Sequence, residues 1–336
     1  MHTPSRDADR LPAIDFVKAA AIVAVALTHS GLPPWVREHS PWDYWLCSVL
    51  VNFQVPAFLF VSGFLYYRPD PVPGLVVGRR LMRIVMPYLV ASAVAYGLGF
   101  ARADDPREIL FQLATASTLG IYYFIFLLAM FVPTIWVLSR LRPEQLLALC
   151  AGLWVIAVAT EIYAHARIID PQRPPTLEGL FWLARSPFNF TYAMFVTGWV
   201  AAPRAARLRS IAARHPVPVL ASNLAAIGLF VVGAVAWPWA NAGTLRMLYT
   251  FGVIGAIGIF LGASPVPRLV RFLSTASLGL YLYHHMVQIP LQPYVRSWPP
   301  PARILAVAAA GLLGSGLVCA LGTALLGRRA RVLLGA

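Results

Sequence analysis

The residues best suited to chemistry lie inside apolar runs. Between Leu11 and Ser30 an aspartate, a lysine and a histidine (Asp15, Lys18 and His29) interrupt an otherwise apolar stretch. Lys18 and His29 are eleven residues apart. An α-helix turns about 1100° over that interval, so both side chains return to within about 20° of one face, separated by a rise of roughly 16 Å. Asp15 shares this face and is placed to pair with Lys18 at i,i+3. The stripe offers an ion pair at one end and, at the other, an imidazole able to exchange a proton near neutral pH. Ionisable groups within a bilayer are costly and point to function by default. A plainer reading has Asp15 and Lys18 snorkelling to the inner interface and His29 marking the outer one. The sequence Ser30-Gly31-Leu32-Pro33-Pro34 agrees with an outer boundary there.

Four further groups qualify. Asn52 and Gln54 precede Pro56 in a second apolar run. Amides at such depth most often hydrogen-bond a neighbouring helix, with a substrate contact as the alternative. Ser62-Gly63 in the same run reads as a close-packing point. Arg79 and Arg83 fall four residues apart, so one helical face carries both guanidiniums. Planar forks at that spacing suit phosphates, and equally suit lipid headgroups. His284 and His285 lie in the apolar stretch Ser277–His285 without a Cys, Asp or Glu at ligand spacing, so no metal site is expected. Glu161, near the end of another apolar run, is a possible second carboxylate. Cys47, Cys150 and Cys319 are scattered and read as small buried hydrophobes.

The elements that must position these groups are membrane helices. Of 336 residues, 59% are apolar or aromatic and 12% charged, with a mean hydropathy of +0.69. A soluble domain carries about 25% charged residues, so a soluble globular enzyme, a disordered chain and a disulfide-stapled domain are all excluded. Ten apolar spans are expected near 11–31, 44–66, 84–101, 119–138, 144–164, 181–202, 217–236, 244–263, 276–292 and 302–326. Each is near the roughly 20 residues a bilayer requires. The sixth includes Asn189. Proline-rich connections such as Pro69–Gly74 and Pro299-Pro300-Pro301 punctuate them and are expected to end helices. The first span holds Asp15 and Lys18 and no small-residue cleavage site follows, so it is expected to be retained.

Net charge is +14, and all but one of the 27 basic residues are arginines. They occur in small groups between apolar blocks rather than in a dense stripe, which argues against nucleic acid and for topology signals and lipid contacts. With the N-terminus inside, inner connections hold seventeen arginines and outer ones nine. The expected architecture is an all-α polytopic bundle of about ten transmembrane helices in one domain over 1–336. Both termini would be cytoplasmic, with no appended soluble domain.

Taken together, these segments resemble the acyltransferase-3 family of integral-membrane acyltransferases. The resemblance rests on Asp15-Phe16-Val17-Lys18 followed by His29, with Lys18 where arginine is more usual. It rests also on Val55–Phe64, on Arg79–Arg83 followed by Pro87-Tyr88, and on Ser277–His284. His285 is an addition to the last motif, and Tyr122-Tyr123-Phe124 matches loosely. The resemblance implies transfer of an acyl group, often acetyl, from cytoplasmic acyl-CoA to a hydroxyl of a glycan, lipid-linked sugar or small natural product. Acyl-CoA would be a co-substrate, with no permanently bound cofactor. Arg79 and Arg83 would hold CoA phosphates, Lys18 set by Asp15 would steer the pantetheine arm, and His29 would be the general base. His284, Gln54 and Asn52 would bind or orient. An acyl-histidine intermediate is the less favoured route. The expected location is a cell membrane, such as a bacterial inner membrane. A proton-coupled transporter would also use intramembrane Asp, Lys and His, but the chain lacks paired halves with helices broken at matching positions.

Overall fold

The computed structural model describes residues 11–32, 39–167, 190–236 and 243–335. Among these every regular element is helical. In chain order they are α1 (Pro12–Thr28), α2 (Pro41–Tyr44), α3 (Gln54–Tyr66), α4 (Gly74–Gly97), α5 (Pro106–Ala114), α6 (Tyr123–Leu138) and α7 (Pro143–Arg167). There follow α8 (Phe190–Ala201), α9 (Ala205–Arg214), α10 (Pro216–Ala236), α11 (Gly243–Leu261), α12 (Arg268–Thr275), α13 (Ser277–Val295), α14 (Pro300–Leu326) and α15 (Ala330–Leu333). Each of the ten expected intervals overlaps a helix among the described residues, the second being broken and the sixth described only from Phe190. Five helical stretches are long and apolar enough to cross a membrane by themselves: Pro41–Tyr66, Gly120–Leu138, Pro143–Glu161, Pro216–Ala236 and Pro300–Leu326. Residues 181–189 of the sixth interval, with Asn189, and Arg6, Arg10, Arg37, Arg173 and Arg185 lie outside the described residues.

The prolines act differently from expectation. Instead of only ending helices, they begin them. Pro12, Pro41, Pro106, Pro143, Pro216 and Pro300 each occupy the first helical position. There the missing N–H costs nothing, and the fixed φ already suits a helix.

The second span is not a simple helix. α2 passes into a π-helical turn (Trp45–Val49), the chain then turns through residues 50–53, and α3 begins at Gln54. Backbone freed at membrane depth must find partners inside the protein. The Leu50 carbonyl accepts from the Tyr249 hydroxyl at 2.5 Å, and that of Asn52 from Arg246 Nε at 2.8 Å. Arg246, counted by sequence among outer topology signals, therefore caps the break.

α3 and α8 pack backbone to backbone. A Cβ on Gly63 would stand 1.9 Å from the Phe195 carbonyl oxygen, and one on Gly198 would stand 1.9 Å from that of Phe60. Small residues allow this approach, on which helix association in lipid depends. Alanine at either position must push the helices apart. We expect Gly63→Ala and Gly198→Ala each to destabilise by about 1–3 kcal/mol, read as a lower midpoint of thermal unfolding in detergent. Gly152→Ala is the control: no heavy atom lies within 4 Å of the added methyl, so its midpoint should hold or rise.

Candidate active site

Three imidazoles meet where the end of α1 touches α13. The His29 ring lies 5.4 Å from that of His284 and 5.2 Å from that of His285, centroid to centroid, and the latter two are 6.1 Å apart. His29 is the residue that terminates α1, as the eighteen-residue run from Leu11 leads one to expect. His284 is fully buried. Its Nδ1 lies 2.8 Å from the Tyr281 carbonyl and 3.2 Å from that of Leu280. Carbonyls only accept, so Nδ1 carries the hydrogen and Nε2 presents a lone pair. That Nε2 is buried with no other partner.

Three glutamines hold this junction. Gln288 Nε2 donates to the Ala26 carbonyl at 2.9 Å and to Ser30 Oγ at 3.1 Å, and Gln292 Nε2 donates to the His29 carbonyl at 3.2 Å. The last carbonyls of a helix have no intrahelical donor, so α13 completes the end of α1. From the other side Gln54 Nε2 donates to Thr28 Oγ1 at 3.1 Å. Gln54 thus bonds a neighbouring helix, the commoner role for an amide at this depth, and does so one residue before His29.

At the opposite end of the stripe, Asp15 is buried and its Oδ1 accepts from Ser274 Oγ at 2.5 Å. This bond fixes α1 to α12, immediately before α13 starts. Half-buried Lys18 lines a cavity of about 170 Å³ between α1, α3, α4, α6 and α13. The lining includes exposed Leu65 and half-buried Tyr66, and also Phe58, Phe124 and Tyr281. Phe124 packs on Phe58 at 5.8 Å and edge-on against Tyr281 at 5.4 Å. His29 is not part of the lining. Tyr281, one of these lining rings, is the residue whose carbonyl holds His284.

The rim carries positive charge. Arg80 donates from Nη1 to the Tyr66 carbonyl at 2.8 Å, and its guanidinium lies 4.9 Å from the Tyr66 ring centre. Its charged neighbours include Arg68 and Arg83. Burial, then Arg68, holds the Arg80 guanidinium below its ordinary pKa. Arg79 and Arg83 are both exposed. Of the pair singled out by sequence, Arg83 faces this rim electrostatically, and Arg80 rather than Arg79 docks on the cavity wall.

Beyond the His29 end of α1 lies a buried ion pair that sequence reasoning missed. Arg303 Nη2 donates to Asp43 Oδ1 at 2.6 Å and to Oδ2 at 2.7 Å. Asp43 also accepts from Leu32 N at 2.8 Å, Ser40 N at 2.9 Å and Ser40 Oγ at 2.6 Å. Leu32 follows His29 by three residues, so this cluster pins the chain as it leaves the imidazoles. Of the remaining candidates, Asn52 contributes its carbonyl to the break before α3. Glu161 sits on α7, which packs against α8, away from the junction of α1 and α13. Among the described residues no three His, Cys, Asp or Glu side chains are grouped as metal ligands. Cys47 and Cys319 are buried and Cys150 is half-buried, none of them in a disulfide.

The fold is thus all-helical among the described residues, with helices apolar and long enough to cross a membrane, a lysine-lined cavity and three imidazoles at the junction of α1 and α13. Residues 11–320 match the acyltransferase domain of the acyltransferase-3 family, and the chain belongs to it. It is similar to YfiQ of Bacillus subtilis (strain 168), which carries the provisional name of membrane-bound acyltransferase. The two are 24% identical over 251 residues, covering 70% of this chain and 68% of that one. No solved structure matches the chain significantly.

Proposed function

We propose that this acyltransferase moves an acyl group, acetyl in the simplest case, from cytoplasmic acyl-CoA to a hydroxyl of a glycan, lipid-linked sugar or small natural product. Ten helices cross a cell membrane, and both termini are cytoplasmic. The observation that carries the reading is the Lys18 cavity, whose lining includes both Tyr66, on which Arg80 docks, and Tyr281, whose carbonyl holds His284. The stripe from Lys18 to His29 rises roughly 16 Å, a span suited to a long thin thioester arm. His29 takes the proton from the acceptor hydroxyl, the oxygen forms a C–O bond with the acyl carbon, and the C–S bond breaks. The same imidazole returns the proton to the departing sulfur, giving free CoA and the ester. Because no imidazole lines the cavity, lining rings such as Phe58, Phe124 and Tyr281 turn aside when the arm is seated.

The reading is tested in proteoliposomes with radiolabelled acetyl-CoA and a panel of hydroxyl acceptors, following free CoA and labelled product. Acceptor-dependent release of CoA is expected. Uptake of solute driven by a proton gradient, with no thioester cleavage, would establish the transporter instead. The phosphate clamp is assigned to Arg80 and Arg83, with Arg68 beside them. Arg80→Ala and Arg83→Ala should each raise KM for acyl-CoA by about ten-fold or more and leave kcat within a few-fold, as fits loss of a charged hydrogen bond. Arg79→Ala should change KM less than either. Equal effects from all three would make them a diffuse lipid anchor.

A further inference from the structure

We infer that α12 is a membrane-surface helix whose Arg268 and Arg271 bind anionic phospholipid headgroups, and that this contact, carried to Asp15 through Ser274, favours the use of acyl-CoA at the Lys18 cavity. The second part rests on the reading of that cavity as the donor site.

Charge is divided unevenly along the chain. All 13 acidic residues occur at or before Glu178, and thirteen arginines follow it. One of these, Arg303, finds Asp43. Arg268 and Arg271 are exposed and form no ion pair among the described residues. The make-up of α12 shows what kind of anion suits them. At 100° per residue its exposed arc runs Arg271, Thr275, Arg268, Phe272, Leu269. Arginines hold one edge and large apolar side chains the other, with Leu269 67% and Phe272 37% exposed. A soluble anion would satisfy the cations and leave Leu269 and Phe272 in water. A phospholipid satisfies both, with its headgroup at the arginines and its acyl chains at the apolar edge, as for helices that lie in the bilayer interface.

The other side of α12 makes such a contact matter. It packs on α1, where buried Ser274 donates from Oγ to Asp15 Oδ1. Asp15 precedes Lys18 by three residues on one face of α1. After Thr275 the chain leads directly into Ser277 and Leu278, which line the cavity together with Lys18. A helix seated among headgroups therefore holds two sides of the cavity, the Lys18 side through Asp15 and the α13 side through Ser277. On a neutral surface the arginines lose that hold and both sides loosen together. α9 supplies a comparison. Arg207 and Arg209 are exposed there beside exposed Leu208 and Ile211, so the chemistry is the same. But α9 packs against α10 and makes no hydrogen bond to α1 among the described residues, so lipid bound there should leave the cavity unaffected.

The test uses the full chain in nanodiscs of phosphatidylcholine, alone or with phosphatidylglycerol added. Retained phosphatidylglycerol is counted by native mass spectrometry, and kcat and KM for acetyl-CoA are measured in the same discs. Phosphatidylglycerol should raise kcat/KM of the unmodified protein about five-fold or more, the scale of one arginine at an anionic surface. A negative surface repels acetyl-CoA, so bulk electrostatics oppose this gain. Arg268→Gln/Arg271→Gln should retain less phosphatidylglycerol and show one kcat/KM in both bilayers, near that of the unmodified protein in phosphatidylcholine. Arg268→Lys/Arg271→Lys, which keeps the charges, should keep most of the response. Ser274→Ala should retain the lipid and lose the response. Arg207→Gln/Arg209→Gln should do the reverse, retaining less lipid and responding normally. Equal kcat/KM of the unmodified protein in the two bilayers, or a full response in Arg268→Gln/Arg271→Gln, would overturn the inference. So would a KM for acetyl-CoA that this double substitution raises equally in both bilayers, which would give the arginines to the nucleotide. If neither bilayer supports release of CoA, the donor reading fails, and the lipid retained with and without the two arginines still decides the lipid site.

Discussion

His29→Ala is expected to lower acyl transfer about 10²–10⁴-fold, the usual worth of a general base, in protein that remains inserted and folded. The imidazole carries none of the hydrogen bonds that hold the helices around it. The bond from Gln292 goes to the His29 backbone carbonyl, and those from Gln288 go to Ala26 and Ser30. All survive the substitution. Alanine removes only the packing of the ring against His284, at 5.4 Å between centroids, and His285, at 5.2 Å. Acyl-CoA binding should also survive, since Lys18 lies roughly 16 Å along the stripe and the arginines beside Tyr66 are on α4. The check is single-turnover transfer beside equilibrium binding of a non-hydrolysable acyl-CoA analogue. Normal turnover would move the base to His284, whose Nε2 is the other buried lone pair at the junction, and would leave His29 as an interfacial side chain.

The sequence made the stripe legible because helical periodicity is rigid arithmetic: Asp15, Lys18 and His29 fall on one face whatever packs against it. It could not show what faces the stripe. The meeting of His29 with His284 and His285 joins residues some 255 positions apart, and nothing local in Ser277–His285 indicates which helix will receive it. Gln288 and Gln292 carried a usable signal, the same one that picked out Gln54: amides inside an apolar run seek carbonyls on a neighbour. Applied to α13, it would have found the staple. The arginine rim was legible as a cluster and ambiguous as a site. Arg79, Arg80 and Arg83 are adjacent in sequence, and only the position of Tyr66 beside α4 makes Arg80 the one that docks.

Arginine counting misled in another way. Arg246 and Arg303 were both absorbed into the outer topology tally, and both are structural. The rule that reads arginines as boundary markers is a statistical statement about connections. It cannot recognise an arginine just inside a helix whose partner lies far away in sequence. Asp43 falls just before the second expected span, where hydropathy does not mark it. Asp43 is 1% exposed and Arg303 is 3% exposed.

The consequence of that burial is the largest stability effect expected in the molecule. Arg303→Met should destabilise by about 3–5 kcal/mol, because removing one partner leaves a buried charge uncompensated. Asp43→Leu should cost a similar amount, and additionally strands the amide of Leu32 and the Ser40 cap. Replacing both together removes the charges at once, and double replacements of buried pairs are often neutral. The Asp43→Leu/Arg303→Met variant should therefore recover most of the thermal stability that Arg303→Met forfeits. It should not recover activity to the same degree. Asp43 is what holds Leu32, three residues beyond His29, and a chain released there lets the imidazole drift from His284 and His285. A displacement of about 1 Å at a reacting group can cost on the order of 10² in rate. The measurement is paired: unfolding midpoint in detergent and kcat in proteoliposomes for the two single variants and the double. Stability and kcat recovering together would mean that the pair serves only to hold α2 against α14. Stability recovering while kcat stays low is the expected result, and it would make Asp43 the anchor of the active-site histidine as well as of the helix pair.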